Sequence, residues 1–183
     1  MKKTILTFGL ISGVLISLMM AATIPFVDRI GFDRGEYVGY TTMVLAFLLV
    51  FFGIRSYRDN SSDGAITFTR GFVVGISITL ISCVFYVVTW EIIYFNFMHD
   101  FMDKYAAYAV ARLQASGASA AAVQAQIQQM NKLKVLYQNP LYNSAMTFLE
   151  PLPVGLVITL ISAAVLRRKP QPQPAQSSLP ATS

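Results

Sequence analysis

The sequence predicts an all-α fold: a four-transmembrane-helix bundle with an extramembrane amphipathic helical hairpin between spans three and four. Three observations predict it. Hydrophobic residues make up 55% of the 183 and charged residues only 13%, against about 25% charged in ordinary soluble domains. The apolar residues fall into four continuous windows, without the period-two alternation of barrel strands. Basic residues collect at the window ends.

Span one is Ile5–Phe26, free of charge until Asp28. Its MKK opening resembles a signal peptide, but the apolar run exceeds a usual h-region and Met20-Ala21-Ala22 is a poor cleavage site. It is therefore read as a retained span. Span two, Tyr37–Ile54, gives about 27 Å of helix, enough with aromatic ends for a hydrocarbon core of about 30 Å. Span three runs from Gly71 to Trp90 after Arg70, and span four from near Thr147 to Leu166 before Arg167.

Four spans place both termini on one side. That side carries Lys2, Lys3, Arg55, Arg58, Arg70, Arg167, Arg168 and Lys169, whereas Arg29 and Arg34 opposite are offset by Asp28, Asp33 and Glu36. In the second opposite segment, several of Lys104, Arg112, Lys132 and Lys134 lie well away from the membrane ends. The positive-inside rule then predicts cytoplasmic termini. The same flanking placement accounts for the net charge of +5 without a basic face for nucleic acid. The lone Cys83 forms neither an internal disulfide nor a cysteine metal cluster.

Small residues recur at every fourth position. They are Gly9, Gly13, Ser17 and Ala21 in span one, Gly71, Gly75, Thr79 and Cys83 in span three, and Gly155, Thr159 and Ala163 in span four. Each set lies along one helix face and predicts close helix–helix packing. GISITLIS at 75–82 echoes GLVITLIS at 155–162. That echo fits a duplicated hairpin, and it also fits chance coincidence within a small apolar alphabet.

Residues 96–144 are too long for a turn and are patterned as two amphipathic helices. Phe101, Tyr105 and Tyr108 share a face, and Asp100 and Lys104 form an i,i+4 pair. Ser116-Gly117 breaks the segment, Ser119 is an N-cap candidate, and Asn139-Pro140 ends the second helix. Residues 1–169 thus form an integral membrane helical domain that includes this hairpin. The proline-rich polar segment 170–183 is expected to be a disordered cytoplasmic tail.

The candidate chemistry is sparse. At about 1.5 Å per residue, Glu91 lies roughly 31 Å along span three from Arg70, and Glu150 about 25 Å before Arg167. Both carboxylates therefore approach the outer end, where Pro151 and Pro153 kink or open span four. Three readings of Glu91 stand: a solvated interfacial carboxylate, a salt bridge to Arg29, Arg34 or Lys104, or a polar cluster of Glu91, His99, Asp103 and Glu150. No phosphate loop, HExxH or GxSxG motif is present, and no catalytic, cofactor or metal residue is assigned.

The strings FTRGFVVGISITLI from Phe68, YVVTWEI from Tyr86, FMDKY from Phe101, LQASGAS from Leu113 and YQNPLYNSAMTFLEPLPVGLVITLIS from Tyr137 carry a resemblance. Together they resemble the bacterial membrane-protein family known as domain-of-unknown-function family 4199, over roughly residues 4–168. The resemblance implies a small multi-pass protein of the cytoplasmic membrane in Gram-negative groups, and it brings no assigned reaction. Family motif positions map onto Gly71, Gly75, Trp90, Asp103, Tyr105, Asn139, Pro140, Pro153 and Gly155, with no role carried over. Glu91 stands where relatives often have an uncharged residue.

The expected function is a noncatalytic interaction or assembly component of the bacterial inner membrane. Its expected partners are the lipid bilayer and a second copy or another membrane protein. The alternative is an oligomeric small transporter or channel-like subunit using the outer carboxylates. An inward-facing polar track would favour transport, and a sealed apolar bundle would favour partner binding.

Overall fold

The computed structural model describes residues 1–61 and 64–169, so the tail expected at 170–183 lies outside them. Helix α1 (Lys2–Thr23) runs through a 3-10 turn at Ile24–Phe26 into α2 (Val27–Ser61). Helix α2 is broken at Gly31, where φ is 73° and ψ 166°, a left-handed backbone that glycine adopts without steric penalty. The chain folds back across this region. Ser12 Oγ of α1 donates to the Ala46 carbonyl of α2 at 3.0 Å, and Phe8 sits against Gly53, so the two helices are antiparallel.

Helix α3 (Phe68–Phe97) starts at Thr67, whose side chain accepts from the Arg70 N–H at 3.3 Å. Helices α4 (Phe101–Ala115) and α5 (Ala120–Tyr137) follow, the second capped by Ser119 through the Ala122 N–H at 3.3 Å. Helix α6 (Pro140–Leu149) begins where Asn139 Oδ1 accepts from the Leu141 N–H at 2.9 Å. The Asn139-Pro140 pair that ends α5 also starts α6, because proline is preorganised for a first helical position. The last apolar stretch therefore begins at Pro140 rather than near Thr147. It breaks at Glu150 before α7 (Pro151–Leu166). Pro151 and Pro153 have no N–H to offer the Thr147 and Leu149 carbonyls, so the hydrogen-bond ladder is interrupted there while Glu150 keeps helical φ and ψ of −71° and −56°.

Among the described residues three helical stretches are long and apolar enough to cross a membrane: Lys2–Asn60, Phe68–Phe97 and Pro140–Leu166. The first, of 59 residues, contains both α1 and α2. The interior between α1, α2, α3 and α7 is filled by Ile16, Met43, Phe47, Val50, Ile54, Val74 and Ile78, all essentially inaccessible. The exterior is apolar too: Leu18 is 63%, Val88 51%, Ile161 58% and Val165 68% exposed. A water-soluble surface avoids such a coat.

Glycines bring the helices close on two faces of α3. A Cβ on Gly9 or Gly13 of α1 would meet Ile81 at 2.9 Å or Phe85 at 2.6 Å. On the other face, a Cβ on Gly75 would meet Thr159 Cγ2 at 2.8 Å, and one on Gly155 would overlap Thr79 Cγ2. Gly71 lies against Ala163 of α7. At the end holding both ends of the described chain, Ile66 and Arg168 exchange backbone hydrogen bonds of 3.0 and 2.9 Å. That bridge ties the α2–α3 connection to the end of α7.

Candidate functional site

A group of polar and aromatic side chains lies toward the opposite end, around the α6–α7 break. Helix α3 presents Tyr86, Trp90 and Tyr94 there, and four-residue spacing sets them along one face. The Tyr86 hydroxyl donates to Glu150 Oε2 at 3.0 Å. Glu150 stands at the break because Pro151 follows it, and its side chain is exposed at the flank of the bundle. Beyond it, Thr147 Oγ1 donates to Asn143 Oδ1 at 3.1 Å, and Asn143 Nδ2 donates to the Tyr137 carbonyl at 3.3 Å. Asn143 and Thr147 are both buried. The Trp90 ring packs edge-on against Phe101 at 5.0 Å, and Tyr94 meets Tyr137 at 5.3 Å. The buried Trp90 Nε1–H has no hydrogen-bond partner among the described residues.

Glu91 lies one position past Trp90 and turns to a different neighbour. Ser144 Oγ of α6 donates to Glu91 Oε1 at 3.0 Å. None of Arg29, Arg34 or Lys104 pairs with it among the described residues. Asp103 pairs with Lys134, which joins α4 to α5. His99 is exposed in the turn between α3 and α4. Glu91, Glu150 and Asp103 thus take separate partners: Ser144, Tyr86 and Lys134. Among the described residues no group of three or more His, Cys, Asp or Glu side chains is placed to hold a metal ion.

Helix α4 is strapped to the start of α2. Phe32 packs on Phe101, Tyr105 and Tyr108 with centroids 5.8, 5.5 and 5.1 Å away. Lys104 Nζ reaches both Asp28 and Asp100 at 3.0 Å. Asp33 accepts from the Tyr108 hydroxyl and lies 3.7 Å from Arg112. The Lys104 hydrogen bond holds the Asp100 carboxyl below its ordinary range. The Asp28 and Asp100 hydrogen bonds raise Lys104 above its own. A cavity of about 320 Å³ lies beneath this strap, lined by Val27, Asp28, Gly31, Phe32, Met98, Phe101 and Lys104.

Sequence reasoning missed Tyr86, Ser144, Asn143 and Thr147 as the groups that satisfy this end. The Tyr86–Trp90–Tyr94 spacing was the available signal for one wall. The opposing wall depends on how α6 is turned about its axis, and helical spacing alone does not specify that.

A helical bundle with an apolar coat and its charges gathered at the two ends is the architecture of a membrane protein. The chain belongs to the family described as "Protein of unknown function (DUF4199)", whose model matches residues 7–168. No curated protein and no solved structure matches it.

Proposed function

We propose that this chain is a noncatalytic multi-pass protein of the bacterial inner membrane that serves as an interaction or assembly component. In this reading α1, α2, α3 and the α6–α7 pair cross the bilayer as four spans. Both termini are cytoplasmic, and α4 and α5 form an external hairpin. The orientation is supported by Lys2, Lys3, Arg55, Arg58, Arg70, Arg167, Arg168 and Lys169 falling at one end of the bundle, as cytoplasmic flanks do.

The observation that carries the reading is the filled core. Ile16, Phe47, Val50, Ile54, Val74 and Ile78 are 0% exposed, and among the described residues the buried hydroxyls of Ser12, Thr79, Ser82 and Thr159 bond within the bundle, which supports a sealed protomer. What remains for a partner is the outer layer. Its α5–α6 edge bears Val135, Leu136 and Leu141 at 69%, 47% and 82% exposure. The test is gentle solubilisation, crosslinking and identification of copurifying proteins. A stoichiometric membrane-protein partner lost on Leu136→Asp supports the reading, and recovery of the bare chain in every preparation overturns it.

One observation favours the transporter or channel-like reading. Glu150 is an ionisable side chain on a broken apolar helix, and interrupted membrane helices recur at ion sites. In that reading an oligomer supplies the path and Glu150 with Tyr86 contributes to it. Cation flux into proteoliposomes that disappears in Glu150→Gln would favour it over the first.

A further inference from the structure

Helices α3 and α6 leave a groove of about 490 Å³ between them, lined by Val84, Val87, Val88, Ala145, Phe148 and Leu149, with Ser144 as its polar member. Val84 and Leu149 are 53% and 56% exposed, so the groove is open along the flank of the bundle. Glu91 continues its α3 wall. It follows Val88, Val87 and Val84 by three, four and seven residues, the spacing of a single helix face. Ser144 donates to Glu91 Oε1 at 3.0 Å. The Glu91 carboxylate therefore lies just beyond the groove, bonded to its Ser144, and no Lys, Arg or His lies within ion-pair distance of it among the described residues.

These two chemistries in line match a lipid better than a second helix. An apolar helix would fill the valine-lined part and leave the Glu91 charge uncompensated at the hydrocarbon boundary, which is costly. A phospholipid with a primary ammonium headgroup brings an acyl chain for the groove and a cationic N–H donor for the carboxylate, a charge-assisted pairing. A glycerol headgroup offers no cation and sets its phosphate near Glu91. We infer that the groove seats one acyl chain of an ethanolamine phospholipid whose ammonium pairs with Glu91, while Ser144 holds Glu91 Oε1. The inference rests on the membrane placement proposed above.

Trp90, the single tryptophan, is the residue next to Glu91 and serves as the local reporter. The full-length chain is reconstituted in phosphatidylcholine vesicles containing equal small fractions of acyl-brominated phosphatidylethanolamine or phosphatidylglycerol, and quenching of Trp90 fluorescence is titrated. Brominated phosphatidylethanolamine should quench at roughly two- to fivefold lower mole fraction, the preference one interfacial ion pair supplies. Glu91→Gln should abolish the preference, and Ala145→Phe, which fills the groove from an exposed position, should weaken quenching by both lipids. Equal quenching in the unaltered chain overturns the inference while leaving membrane insertion intact, and so does a preference that survives Glu91→Gln. Absence of quenching by either lipid overturns the membrane placement itself. A disulfide between two copies carrying Ala145→Cys in a Cys83→Ala background would make the groove a seam between protomers, and that also overturns the lipid assignment.

Discussion

Thr79 and Thr159 face each other across the α3–α7 crossing with their hydroxyl oxygens 3.1 Å apart, both fully buried. Their glycine neighbours are exchanged across the same contact: Gly75 lies under Thr159 and Gly155 under Thr79. The two echoed GxxxT segments therefore pack as a local antiparallel twofold, each supplying one gap and one methyl group. In this bond one hydroxyl donates and the other accepts, so each has a partner in an apolar interior.

This exchange predicts an order of tolerance. Gly155→Ala should lower stability by about 1–3 kcal/mol, the usual cost of overpacking, because its Cβ has nowhere to go but into Thr79. Gly71→Ala, whose nearest neighbour would be the Ala163 Cα at 3.4 Å, should stay within about 0.5 kcal/mol. Thr79→Ser, which removes the opposing methyl and keeps the hydroxyl bonded to Thr159, should rescue much of the Gly155→Ala loss. Thermal unfolding in mild detergent, with the double variant alongside, reads all three.

Tyr86→Phe strips Glu150 of its phenolic donor. We expect a loss of about 1 kcal/mol, as for a net hydrogen bond, and a comparable coupling energy between Tyr86→Phe and Glu150→Gln. A double-mutant cycle measures the coupling. Independent, additive effects would mean that the 3.0 Å contact carries no weight in solution.

The strap on α4 should respond to pH and salt. Lys104 depresses the Asp100 carboxyl, so that contribution is complete above the ordinary aspartate value near 3.8 and fades as pH falls through the lower folded value. Lys104 is raised, so its contribution is complete below the ordinary lysine value and fades as pH rises through the higher folded one. Amide exchange in α4, corrected for intrinsic rates, should be slowest between these limits. It should accelerate in high salt, which screens exposed pairs, and Lys104→Met should flatten both dependences.

Orientation can be read by labelling. In a Cys83→Ala background, Ser116→Cys in the exposed α4–α5 turn should react with an impermeant maleimide in intact spheroplasts. Lys169→Cys should react only after permeabilisation. Reaction of Lys169→Cys before permeabilisation would contradict cytoplasmic termini, and a Ser116→Cys that reacts only afterwards would contradict an external hairpin.

Depth along the axis was legible in the sequence, and azimuth was not. Residue counts placed Glu91 and Glu150 toward the same end, since helical rise is nearly constant. They did not reveal that Glu91 turns to Ser144 while Glu150 meets Tyr86, because rotation about the axis is set by packing and by the break before Pro151. Ser119 was readable as a cap because capping is local. The Lys134–Asp103 and Lys104–Asp28 pairs join residues far apart in the chain, and they exist only once α5 has closed on α4 and α4 on α2.

The place of α7 has a consequence for how the protein is made. Helix α7 completes a core whose other walls, α2 and α3, are synthesised well before it. Without it, the trough around Gly71, Gly75 and Thr79 would stand open, with the Thr79 hydroxyl lacking its Thr159 partner. A chain cut before Pro151 would thus expose that trough, and the sixteen residues of α7 are the lid that closes it.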